Sequence, residues 1–284
     1  MILSCCAALS ACRGANDARR SSDVARPTAE TDASAAPAAA PDAHAPEPVA
    51  NQPPPIHTDW CIETLGVLDE STCYVLSDPP GTELLIYFHG IVPPVKTSIQ
   101  KTTVETVLYN ATLRARASAL LPRGKQGFAP RGRDDWWGWP TGDRAYLQHA
   151  PELLAMVSEK REKLERLAKV KFQHVYLAGS SSGGYFVANV ALHGAFQADG
   201  FAELSGGSGS ATAELPKLTP KPFYIGFGTA DSVGPAARAL SELLHHAGWP
   251  VKLAPHPVGH GAKEVYLDEA FSFWREQRKI GTER

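Results

Sequence analysis

No run of eighteen or more apolar residues occurs in the chain, so it encodes no conventional membrane-spanning helix. An excess of either charge is missing too: 28 Lys and Arg face 30 Asp and Glu, a formal net charge of -2 over 284 residues. That balance excludes the basic excess of a nucleic-acid binder and the charge density of a disordered chain. Cysteine is scarce, with five in all, and none stands at metal-ligand spacing. What is present is an ordinary globular composition, 43% apolar.

The N-terminal segment differs from the rest. Met1 to Ala11 is small and apolar, and Leu9-Ser10-Ala11-Cys12 resembles a bacterial lipobox. The resemblance implies a lipoprotein-type signal peptide over 1–11 and a lipid on Cys12, although no Lys or Arg precedes the apolar stretch. Residues 12–57 read as an Ala/Pro-rich linker, with too little large apolar surface to offset chain entropy. This predicts an exported bacterial lipoprotein, anchored at the cell envelope through its N-terminal lipid only or secreted, with a folded domain over 58–284. Cys5 and Cys6 would leave with the signal. Cys61 and Cys73 remain and are expected to pair in an oxidising compartment. Closing so short a loop is worth about 3 kcal/mol.

Within the domain, β-rich runs alternate with amphipathic ones. Cys73–Leu76 and Glu83–Phe88 bracket the turn sequence Asp78-Pro79-Pro80-Gly81 and predict a hairpin. A helix follows over 99–114 and a strand over 117–121. Pro151 to Ala168 reads as a helix with proline in its first turn. Strands follow at 172–178, 200–204, 222–227 and 251–254, with helices to about 193, over 235–247 and over 262–277. The alternation predicts an α/β fold, with a mostly parallel central sheet and helices on both faces.

Gly179-Ser180-Ser181-Ser182-Gly183 follows the apolar run His174–Ala178 and enters a helix. A Gly-x-Ser-x-Gly turn between strand and helix presents its central serine in a strained conformation, with small neighbours two residues away on each side. Ser180 and Ser182 are equally nucleophilic in principle, but only Ser181 has both flanking glycines. A serine needs a base, and the base needs an acid to hold its tautomer. Such groups gather beyond the carboxyl ends of parallel strands. Asp231 follows the strand over 222–227, and His260, in Val258-Gly259-His260-Gly261, follows that over 251–254. His256 competes for the base and Asp231 could merely cap the next helix, but the order Ser181, Asp231, His260 favours a triad.

These motifs, with Phe88-His89-Gly90 and Gly228-Thr229-Ala230-Asp231-Ser232-Val233, resemble the α/β-hydrolase superfamily over most of residues 70–278. Within it they are similar to secreted esterases of the polyhydroxybutyrate-depolymerase and feruloyl-esterase type. The resemblance implies the α/β-hydrolase fold and a serine hydrolase cleaving a small-molecule or polymeric carboxylic ester through an acyl-enzyme. Neither a metal nor an organic cofactor is implied. It assigns Ser181 as nucleophile, His260 as general base and then acid, and Asp231 as the orienting carboxylate. The backbone N–H groups of Ser182 and Ile91 become the oxyanion donors, and His89 shapes the loop. Ile91-Val92-Pro93-Pro94 departs from the longer Pro-Gly stretch common in that subgroup. Trp136, Trp137 and Trp139 are expected either to wall the substrate site or to pack as a loop over the sheet edge. A peptidase of the same fold and a catalytically silent binding lipoprotein are the rival readings.

Overall fold

A computed structural model describes residues 59–95, 98–208 and 218–282. The signal peptide and linker expected over 1–57, with Cys12, lie outside the described residues. In chain order the elements are β1 (Gly66–Asp69), β2 (Thr72–Val75), β3 (Glu83–Phe88), α1 (Ile99–Ala115), β4 (Ser118–Pro122), β5 (Lys125–Gln126), β6 (Trp137–Gly138) and α2 (Asp143–Ala168). They continue with β7 (His174–Ser180), α3 (Ser182–His193), β8 (Gly200–Leu204), β9 (Phe223–Gly228), α4 (Gly234–His246), β10 (Val251–His256) and α5 (Glu264–Thr282).

Eight strands form one sheet in the order β1-β2-β4-β3-β7-β8-β9-β10, and β5 pairs with β6 separately. From β4 to β10 every neighbouring pair is parallel, while β2 runs antiparallel to both β1 and β4. The period-two alternation of strand side chains decides which helices cover which face. Leu84, Ile86 and Phe88 of β3 join a core with Leu153 and Val157 of α2, Phe186 and Val190 of α3, and Leu240 and Leu244 of α4. The intervening Leu85 and Tyr87 meet Leu108 and Ala111 of α1, and Phe271 and Trp274 of α5. Every residue of β3 is buried, as expected of a parallel strand covered on both sides.

The hairpin expected between Cys73–Leu76 and Glu83–Phe88 does not form. β4 lies between the two strands, antiparallel to β2 (Cys73 opposite Leu121) and parallel to β3 (Leu85 opposite Ala119). Asp78–Gly81 therefore carries the chain across two strand spacings, about 10 Å, rather than closing a turn. α2 also starts earlier than Pro151, which sits inside the helix. The proline removes the hydrogen bond that would go to the carbonyl of Leu147, whose residue is 63% exposed and open to water. Pro255 is tolerated in β10 because that strand is the sheet edge.

Cys61 and Cys73 form a disulfide, with Cα atoms 5.6 Å apart, tying the segment before β1 to β2. On the far side, Glu83 at the start of β3 accepts hydrogen bonds from Arg275 Nε (3.0 Å) and Arg278 Nη1 (2.8 Å) of α5. Burial alone would raise the Glu83 carboxyl, but these guanidinium groups outweigh it and hold the carboxyl below its ordinary value.

Candidate active site

β7 ends at Ser180 and α3 begins at Ser182, leaving Ser181 alone at the turn with φ 53° and ψ -120°. A non-glycine residue at positive φ is uncommon and stores backbone strain. The glycines around it are set by close approach. A Cβ on Gly179 would overlap the Gly183 carbonyl, and one on Gly183 would overlap the Phe88 carbonyl. Ser180 and Ser182 are buried at 2% and 3% exposure, so Ser181 is the accessible hydroxyl of the three. Gly90 stands against it, where an added Cβ would lie 3.2 Å from the Cβ of Ser181.

Asp231 sits in the turn after β9. Its Oδ1 accepts the Val233 N–H at 3.2 Å, and its Oδ2 lies 2.8 Å from His260 Nδ1. Its side chain is 2% exposed against 50% for that of His260. This carboxylate thus orients the imidazole and closes a two-residue turn before α4, whose N-cap is Val233 and receives no side-chain cap. An imidazole whose Nδ1–H is held by a carboxylate leaves Nε2 as the acceptor. The rival His256 faces away, with Nε2 3.4 Å from Glu269 Oε1 and its ring against Tyr266 of α5.

Ser181 and His260 line one cleft of about 450 Å³, together with Gly90, Ile91, Trp136 and Lys263 among others. That volume lies in the range of small-molecule sites. No hydrogen bond joins Ser181 to His260 among the described residues; catalytic hydrogen bonds are often long in unliganded sites and tighten on binding. Another depression of about 460 Å³, lined by Tyr146, Leu154 and Phe196, opens near His193. It lies at the opposite end of α3, about 18 Å along the helix from Ser181, and holds neither residue.

Ser182 is the first residue of α3, so its N–H is one of the donors an α-helix leaves without an internal partner. Ile91 lines the cleft one residue before Val92, which bridges to Trp137. His89 is buried, accepts the Gly124 N–H at Nε2 (2.9 Å) and donates Nδ1–H to the Gly90 carbonyl (2.5 Å). Burial lowers its imidazole to about 4, so it is neutral at physiological pH.

The tryptophans separate. Trp136 lines the cleft, with Arg133 4.6 Å over its ring. Trp137 is half-buried in β6, with Arg123 4.2 Å over its ring. Trp139 is fully buried against Phe88, Phe186 and His89. Of the three tryptophans expected as a wall, Trp136 alone therefore lines this cleft, because Trp139 is taken up by the core and the Trp137 ring is covered by Arg123.

Two residues were missed by sequence reasoning. Glu203 of β8 is wholly buried beside the turn, its Oε1 3.3 Å from where a Cβ on Gly184 would stand. Burial raises its carboxyl to about 8. A glutamate inside the apolar strand Gly200–Leu204 was the available signal. Ser205, also at φ 53°, donates its hydroxyl to the Gly261 carbonyl at 3.3 Å and so ties the loop after β8 to the His260 loop.

The architecture is the α/β-hydrolase fold. No protein-family model matches the sequence, and no curated protein matches it. Among solved structures, the chain is similar to esterase PE8 (16% identity, TM-score 0.54, covering 72% of this chain and 98% of that one). It is similar also to a Bacillus cereus carboxylesterase (17%, TM-score 0.53, 75% and 95%) and a Mesorhizobium loti carboxylesterase (19%, TM-score 0.55, 72% and 93%). At these identities the likeness is one of fold.

Proposed function

We propose that the domain is a serine hydrolase that cleaves carboxylic esters through an acyl-enzyme. The observation that carries this reading is the 2.8 Å contact between His260 Nδ1 and buried Asp231, on an imidazole that shares its cleft with strained Ser181. The esterases among the structural neighbours support it through the shared fold alone.

Ser181 Oγ attacks the ester carbonyl carbon as its proton passes to His260 Nε2. The tetrahedral oxyanion is received by the N–H groups of Ser182 and Ile91, and the helix dipole of α3 adds to their pull. Collapse breaks the C–O bond, and His260 returns the proton to the leaving alcohol. Water, deprotonated by the same imidazole, then frees the acid and restores Ser181. Asp231 stays ionised throughout and stabilises the imidazolium. The disulfide between Cys61 and Cys73 supports a further part of the proposal, that the domain works outside the reducing cytoplasm, tethered by a lipid on Cys12 or released.

The test is labelling by a fluorophosphonate together with turnover of short p-nitrophenyl esters. Wild type should be labelled and active, and Ser181→Ala should lose both with its thermal transition unchanged. Labelling that survives Ser181→Ala would point to another nucleophile. Faster turnover of aminoacyl-nitroanilides than of esters would point to a peptidase.

A further inference from the structure

We propose that the ester this cleft selects carries a free anionic group, a carboxylate or a phosphate, which Arg133 and Lys263 receive. The inference rests on the ester-hydrolase reading of the same site and adds the class of substrate.

The cleft is one-sided in charge. Arg133 and Lys263 line it along with His260, and among the described residues no aspartate or glutamate does. Neither cation has a carboxylate partner among the described residues. Arg133 lies over the Trp136 ring at 4.6 Å, and Lys263 Nζ donates to the His260 carbonyl at 3.3 Å. A guanidinium over an indole ring spends none of its N–H groups on a carboxylate and can offer them to a planar oxyanion. Ile99 and Gln100, also in the lining, open α1, a helix of 17 residues with no acidic residue in its first turn. The positive end of that helix, with its unpaired N–H groups, adds to the same field.

The nearby carboxylates do not cancel it. The Asp231 side chain is 2% exposed and engaged by His260 and Val233. Glu203 is buried, and with its carboxyl near 8 it is mostly protonated at neutral pH. Asp134 and Asp135 are exposed on the same loop as Arg133 but do not line the cleft. A neutral substrate would leave two cations facing an unoccupied position, whereas an anionic one pairs them in a partly dry site.

The experiment compares p-nitrophenyl hemiglutarate with p-nitrophenyl valerate, acyl chains of equal length that differ in a terminal carboxylate. The quantity read is the ratio of their kcat/KM values. It should be about tenfold in favour of the charged ester at low salt, fall toward one in Arg133→Gln/Lys263→Gln, and shrink at about 0.5 M NaCl. A wild-type ratio at or below one, or one that persists in the double variant, overturns the proposal. If neither ester is cleaved, the ester reading fails by itself. Calorimetric titration of Ser181→Ala with glutarate and with inorganic phosphate then reads the anion site without chemistry. Binding that the double variant abolishes sustains the inference and tells the two anions apart; absence of binding overturns it.

Discussion

The main chain of Gly183 passes so close to Phe88 that any side chain at 183 would overlap the Phe88 carbonyl oxygen. This contact packs the first turn of α3 against the end of β3 and fixes where Ser181 stands. Gly183→Ala should therefore cost about 3 kcal/mol or more in denaturant unfolding, well above an ordinary surface substitution. A variant with wild-type stability would mean that the turn relaxes freely.

Trp136 and Trp139, three residues apart, should respond differently to truncation. Trp139→Ala empties a fully buried site and should destabilise the domain by about 3–5 kcal/mol. Trp136→Ala should leave thermal stability near wild type and raise KM for aromatic esters. Calorimetry and steady-state kinetics on the pair settle the contrast, and equal destabilisation would move Trp136 into the core.

His89 is expected to act through the peptide it holds. In a trans peptide the Gly90 carbonyl and the Ile91 N–H point opposite ways, so anchoring the carbonyl on His89 turns the N–H the other way. His89→Asn should lower kcat by about 10- to 100-fold with little change in KM. The shape of the pH–rate profile should not change, because the imidazole, at about 4, is already neutral near pH 7. A lost limb in that profile would make His89 a proton carrier instead.

Glu203 carries a stability cost with a definite sign. Its carboxyl is raised by burial from 4.5 to about 8, so the folded chain keeps a proton that the unfolded chain releases. Stability then falls as pH rises from 4.5 toward 8 and levels off beyond. Glu203→Gln should remove this slope and gain roughly 1–3 kcal/mol at pH 8, with little gain at pH 5. Identical pH dependence in variant and wild type would contradict a protonated Glu203.

The parts of the fold legible in sequence are those whose cause is local. The turn at Ser181 needs glycine on both sides, and that need is written within five residues. The strand-then-acid and strand-then-histidine order was readable because Asp231 and His260 each come within a few residues of a strand signalled by its own composition. The pairing of β2 was not readable, since its partner β4 lies more than forty residues on and only register selects it. The start of α2 was obscured by Pro151, a residue that usually opens helices and here stands where water can take the freed carbonyl. Trp139 differs from Trp136 in being packed under Phe88 and Phe186, a tertiary contact that composition does not encode. Glu203 passed unnoticed because burial, not spacing, gives it its character.

The clamp of Arg275 and Arg278 on Glu83 spans 192 and 195 positions of chain. The innermost strand thus stays incomplete until nearly the last helix has been made, and contacts so distant in sequence form slowly. Synthesis must pass residue 278 before both arms of this clamp can close. A product cut short ahead of residue 275 would be left with β3 unsecured.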